Sequence, residues 1–137
     1  MLASFLLGIA AGLRSATPPA ALAIASGTRR PVLTPLLTVM AAGELIADKN
    51  KRTPRRDSPP GAIGRAISGA LAGAAAARSS GRPLAGAALG LTSAIVATQL
   101  GVLARIALAE RLGSDWPAAL IEDAATLAIT ALAVARR

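Results

Sequence analysis

Charged residues interrupt the apolar stretches of this chain at Arg14, at Glu44 with Asp48, and at Glu122 with Asp123. This placement constrains the fold more than any other feature. An ionised group in hydrocarbon costs about 3 kcal/mol or more, so such residues turn toward a bundle interior or a water-filled cavity. The surrounding sequence is apolar: hydrophobic residues make up 53% of the chain and the mean hydropathy is +0.55, above the range of soluble globular domains. The expected fold class is all-α, a polytopic membrane helical bundle forming one integral membrane domain over residues 1–137, with an internal polar cluster.

A crossing helix needs about 20 apolar residues. Apolar segments at about 1–27, 31–48, 63–77, 83–110 and 116–135 predict about five membrane-embedded helices, with a basic loop over 49–62. Pro18 and Pro19 interrupt the first segment. Proline lacks an N–H and disfavours helix in the residue before it. Segment 1–27 is therefore one broken helix or two half-helices that re-enter. Irregular backbone at membrane depth is tolerated only inside protein or against a water cavity, which makes the break a site candidate. Pro31 and Pro117 suit first helical turns, and Ser114 or Asp115 is placed to cap the last helix. Gly8 and Gly12, Gly69 and Gly73, and Gly86 and Gly90 are each four apart, a spacing that lets helix backbones approach closely.

Composition removes several chemistries. Without Cys or His there is no disulfide, no thiolate metal site and no Ser-His triad, so proton or cation chemistry falls to Asp and Glu. No Gly-rich phosphate loop is present. No cofactor is implied and no catalytic residue is assigned. The net charge is +8, but the basic residues sit at the ends of apolar spans. Lys49, Lys51, Arg52, Arg55 and Arg56 read as a membrane-surface loop on anionic headgroups, and their density favours a cytoplasmic position. No aromatic residue interleaves with them to stack on bases, so nucleic acid is not an expected partner. Counted over five crossings, Arg29, Arg30, Arg78, Arg82, Arg136 and Arg137 balance Lys49, Lys51, Arg52, Arg55, Arg56 and Arg111, which leaves dual topology open. Residues 1–13 lack the basic start and small-residue cleavage site of a signal peptide and read as retained.

The candidate substrate- or ion-binding residues are Arg14, Ser15, Thr17, Glu44, Asp48, Arg105, Glu122 and Asp123. Glu44 and Asp48 are i and i+4, so they share a helix face. With Glu122 and Asp123 they would form a carboxylate cluster for a proton or a hard divalent cation; no particular metal is specified. The alternative is ion pairing with Arg14, Arg65 or Arg105, the usual solution for buried charge. At the break, Arg14, two hydroxyls and a half-helix N-terminus would together attract an anion. Thr98 and Gln99, deep in an apolar segment, are placed to hydrogen-bond across helices.

These stretches resemble a bacterial family of small integral membrane proteins known only as domain of unknown function 4126. The resemblance is carried by Gly8-Ile-Ala-Ala-Gly-Leu-Arg-Ser-Ala-Thr-Pro-Pro19, Gly43-Glu-Leu-Ile-Ala-Asp-Lys49, Pro54-Arg55 through Pro59-Pro60-Gly61, Arg65 with Gly69 and Gly73, Arg105, and Leu120-Ile-Glu-Asp123. It implies an α-helical inner-membrane protein and supplies no activity. The expected function is a small transporter or channel in the bacterial inner membrane, multi-pass in the lipid bilayer and homo-oligomeric, because so short a chain encloses little space. The alternatives are a structural or assembly subunit of a larger membrane complex, and an enzyme acting on lipid phosphates through Asp48, Lys49, Arg55 and Arg56.

Overall fold

A computed structural model of the chain describes residues 1–27, 32–47 and 58–137. Asp48, Lys49, Lys51, Arg52, Arg55 and Arg56, and with them most of the expected basic loop, lie outside the described residues. Those that are described form helices and turns alone: α1 (Leu2–Leu13), α2 (Thr17–Ala25), α3 (Leu33–Ala47), α4 (Pro59–Ala76), α5 (Pro83–Leu112) and α6 (Asp115–Ala135).

Local chemistry sets the boundaries. Arg14 leaves the helix for an extended conformation (φ −142°, ψ 110°), and α2 restarts with its prolines in the first turn, where a missing N–H costs nothing. The first apolar segment is thus two short helices. Helix α4 begins four residues earlier than the apolar pattern indicated, because Pro59 and Pro60 occupy its first turn. Helix α5 ends on Gly113, whose φ of 66° needs a residue without a Cβ. Ser114 then caps α6 through the Trp116 N–H.

Two helices, α5 with 30 residues and α6 with 21, are long and apolar enough to cross a membrane. At 1.5 Å per residue they measure about 45 and 31 Å, against a hydrocarbon core of roughly 30 Å. Helices α1 and α2, at 12 and 9 residues, and the 15 described residues of α3 are each shorter than that core. Helix α4 is built mainly of Gly and Ala and carries Arg65. Among the described residues the structure therefore supports two candidate spans, fewer than the count of apolar segments indicated. Proline breaks and glycine-rich composition shorten what a hydropathy profile alone would merge.

The packing is inverted relative to a water-soluble protein. The largest fully buried side chains are Arg14, Leu7, Thr126, Pro18 and Ser4, and the rest of the interior is mostly alanine, glycine and small hydroxyls. Leucines, isoleucines and valines lie outside: Val39, Leu71, Leu84 and Leu103 are all more than 60% exposed. Small residues inside allow backbones to approach. Helices α1, α4 and α5 meet along such a seam, α1 parallel to α5 and α4 antiparallel to both. A Cβ on Gly90 would lie 2.1 Å from the Gly69 carbonyl oxygen, and one on Gly73 2.2 Å from that of Gly86. Gly8 and Gly12 of α1 press on α5 at Gly90 and Ala94 in the same way. Helix α6 packs against α1 and α5. The contacts of α3 with the other described helices run almost wholly through α2.

Candidate functional site

The break at residues 14–16 is where the helices send their polar side chains. Arg14 is fully buried. Its Nη2 donates to Asp123 Oδ1 of α6, and its Nη1 donates to the Glu44 carbonyl oxygen of α3 at 3.2 Å. Prolines at 18 and 19 remove two donors from the start of α2, so the amides just upstream carry that end of the helix. The Glu44 carboxylate takes them. Its Oε1 accepts from the Ser15 N–H at 2.9 Å and from the Ser15 hydroxyl at 3.0 Å, and its Oε2 accepts from the Ala16 N–H at 2.9 Å. A carboxylate on a helix N-terminus is favoured by both the orphan amides and the dipole.

The surrounding helices complete the arrangement. From α4, Arg65 places Nη2 3.7 Å from Glu44 Oε1, and Ser68 donates its hydroxyl to the Ser15 carbonyl. From α5, Thr98 donates to the Gly12 carbonyl at 3.2 Å. Ser4 of α1 reaches the Gly73 carbonyl at 3.0 Å. Thr17 is buried in the first turn of α2. Gln99 is exposed.

Arg105 belongs to a second group. It holds Asp115 bidentately, Nε to Oδ1 at 2.8 Å and Nη2 to Oδ2 at 2.7 Å, and its Nη1 lies 3.6 Å from Glu122 Oε2. This fork ties α5 to α6 across the Gly113 turn. The Asp115 side chain is 63% exposed whereas Glu122 is buried, so the inner contact is the less screened one.

The structure thus brings Arg14, Ser15, Glu44 and Asp123 together and sets Arg105 and Glu122 in a separate pair. Each described site carboxylate faces an arginine, and among the described residues no three acidic side chains gather as a metal site would require. Of the carboxylates expected to form a cation cluster, Glu44 and Asp123 meet at the break, Glu122 lies with Arg105, and Asp48 lies outside the described residues. Arg65, Ser68 and Asp115 complete the site although the candidate set omitted them. Arg65 carried the same signal as Arg14, a cation within an apolar helix. Asp115 stood out only as a candidate helix cap, and Ser68 carried no signal that separates it from other small polar residues.

Removing the Glu44 carboxylate strips an acceptor from two backbone amides and from Arg65. Hydrogen bonds to charged groups are worth about 1.5–3 kcal/mol, so Glu44→Ala is expected to destabilise by about 3 kcal/mol. Thermal unfolding in detergent micelles checks this, with exposed Gln99→Ala expected to be near neutral. No protein-family model, curated protein or solved structure matches the chain.

Proposed function

We propose that this chain is a small multi-pass membrane protein that carries a small ion or metabolite past its broken first element. The depth of the polar group is the observation that supports this. Thr98, which bonds the end of α1, stands midway along the 30-residue α5. Asp123, which holds Arg14, is near the middle of α6. If α5 and α6 cross a bilayer, the break and its buried charges sit near the midplane. Discontinuous helices whose ends meet charge at that depth are how many transporters build their sites. The inverted packing, small and polar inside with leucine outside, is what a hydrocarbon environment favours. On this reading α1 and α2 together take up one crossing, and α3 and α4 pack beside them in the bacterial inner membrane. The basic 49–56 stretch faces the cytoplasm, and copies of the chain associate. The order of motifs shared with domain of unknown function 4126 agrees with this placement.

The test is flux. Wild-type protein reconstituted in liposomes is expected to move at least one of a panel of protons, alkali cations, halides and small organic anions. Asp123→Asn, which keeps the shape of the cluster and removes a charge, is expected to cut that flux about tenfold or more, by analogy with charge-neutralised intramembrane relays. A folded wild type that moves nothing in the panel removes this reading. A second reading, an assembly subunit, is favoured by α3, whose Leu36, Val39 and Met40 are exposed. Stoichiometric co-purification of another membrane protein through α3 would carry it.

A further inference from the structure

Glu44 is bound as a ligand would be. Its carboxylate meets the Ser15 N–H and hydroxyl and the Ala16 N–H at 2.9–3.0 Å, with the Arg65 guanidinium at 3.7 Å. All of these donors belong to the break and to α4. None belongs to α3, which carries Glu44. The receptor for this carboxylate is therefore assembled without α3: the Arg65 guanidinium, more than nine-tenths buried, a serine hydroxyl and two backbone amides. What α3 contributes to this receptor is the anion, while its Glu44 carbonyl oxygen separately accepts from Arg14.

Helix α3 is also the element least tied to the bundle. Apart from the ties made at Glu44, its contacts with other described helices run almost wholly through α2, and Val39 and Met40 are 68% and 54% exposed. In hydrocarbon, shifting such a helix exchanges lipid contact for lipid contact and costs little. Once the Glu44 carboxylate leaves, the part-buried Ser15 and Ala16 amides retain a demand for an acceptor, because an unsatisfied buried donor costs about 1–3 kcal/mol.

We propose that this receptor is a binding site for small monocarboxylates, and that a carboxylate from solution exchanges with Glu44 there while α3 serves as a movable strap. The proposal rests on the transport reading and names the substrate class of the same site. The Glu44 side chain defines the size: beyond Cβ it is the length of acetate, and with Cβ included the length of propionate. Planar carboxylate geometry matches the two amides and the guanidinium, whereas a spherical halide satisfies fewer of them at once.

The test is binding, measured at neutral pH without any flux. By equilibrium dialysis with labelled acetate in micelles, wild type is expected to bind acetate saturably. Glu44→Ala is expected to bind it about tenfold more tightly or better, because the internal competitor no longer occupies the receptor. Sodium acetate, compared with sodium chloride at equal ionic strength, should recover at least half of the unfolding temperature that Glu44→Ala loses. Glu44→Gly should prefer propionate to acetate. Adding Arg65→Gln to Glu44→Ala should abolish the recovery. No saturable acetate binding to wild type overturns the proposal even if the variants fail to fold. Equal action of acetate and chloride on Glu44→Ala, or recovery that survives Arg65→Gln, overturns it as well. Acetate binding without flux of any solute would remove the transport reading and leave the site. Flux of other solutes without acetate binding would do the reverse.

Discussion

Arg14→Met is expected to lower stability by about 3–5 kcal/mol, because it leaves Asp123 as a buried charge without the guanidinium that holds it. Asp123→Leu should cost a similar amount by taking from buried Arg14 its carboxylate partner. The double substitution Arg14→Met with Asp123→Leu should recover most of that loss, since a well-packed apolar pair of similar volume commonly matches or exceeds a buried ion pair. Thermal unfolding of the four proteins in the same detergent forms a double-mutant cycle. A coupling energy near zero would show that the Arg14–Asp123 contact, with side chains 1% and 10% exposed, contributes nothing as a pair. Flux from the double variant adds a second readout. On the proposed transport reading, stability that returns without flux would assign the pair to function rather than to the fold.

The second large effect is steric and changes sign with position. Gly90→Ala places a Cβ 2.1 Å from the Gly69 carbonyl oxygen and 3.1 Å from the Gly73 Cα. Both obstacles are backbone, so α4 and α5 must separate, and α1 resting on the same spot through Gly8 must follow. Overpacking of this kind costs about 3 kcal/mol or more where no side chain can give way. Gly64→Ala, also within α4, meets nothing within 4 Å. It should stabilise by about 0.5–1 kcal/mol through the ordinary advantage of alanine in a helix. Unfolding midpoints that move the same way in both variants would contradict the glycine seam.

Much of this arrangement can be read from the residues themselves, for identifiable reasons. Arg14, Glu44 and Asp123 stand out because charge in an apolar stretch has a high energy and must be answered. The break stands out because two adjacent prolines withhold two backbone donors. What sequence does not carry is the matching of partners. Glu44 and Asp48 sit on one helix face, which suggests shared chemistry, yet Glu44 is taken by amides 28 and 29 residues upstream. Arg105 and Arg14 look alike in sequence. They separate into different groups because the α5–α6 turn brings Asp115 to one of them and the α1 break brings Asp123 to the other. Serines and threonines are the least readable of all. Thr92 and Thr98 both bond the carbonyl four residues back, but only Thr98 also reaches another helix. The count of apolar segments exceeds the count of long helices for a related reason: alanine raises hydropathy without lengthening a helix, and α4 ends at the polar turn that follows Ala76.

The partner of Arg14 is 109 residues further along the chain. At ribosomal rates of about 5–20 residues per second, that interval is roughly 5 to 20 s. During synthesis, the first apolar helix emerges with its guanidinium long before the carboxylate that neutralises it exists. If the chain inserts into a bilayer as proposed, through that time it must be sheltered by the insertion machinery, by the bilayer surface, or by Glu44, which emerges only 30 residues later. Final placement of the amino-terminal segment therefore waits for the last helix. A nascent chain halted before α6 should hold its first segment loosely enough to be extracted, and one released after it should not.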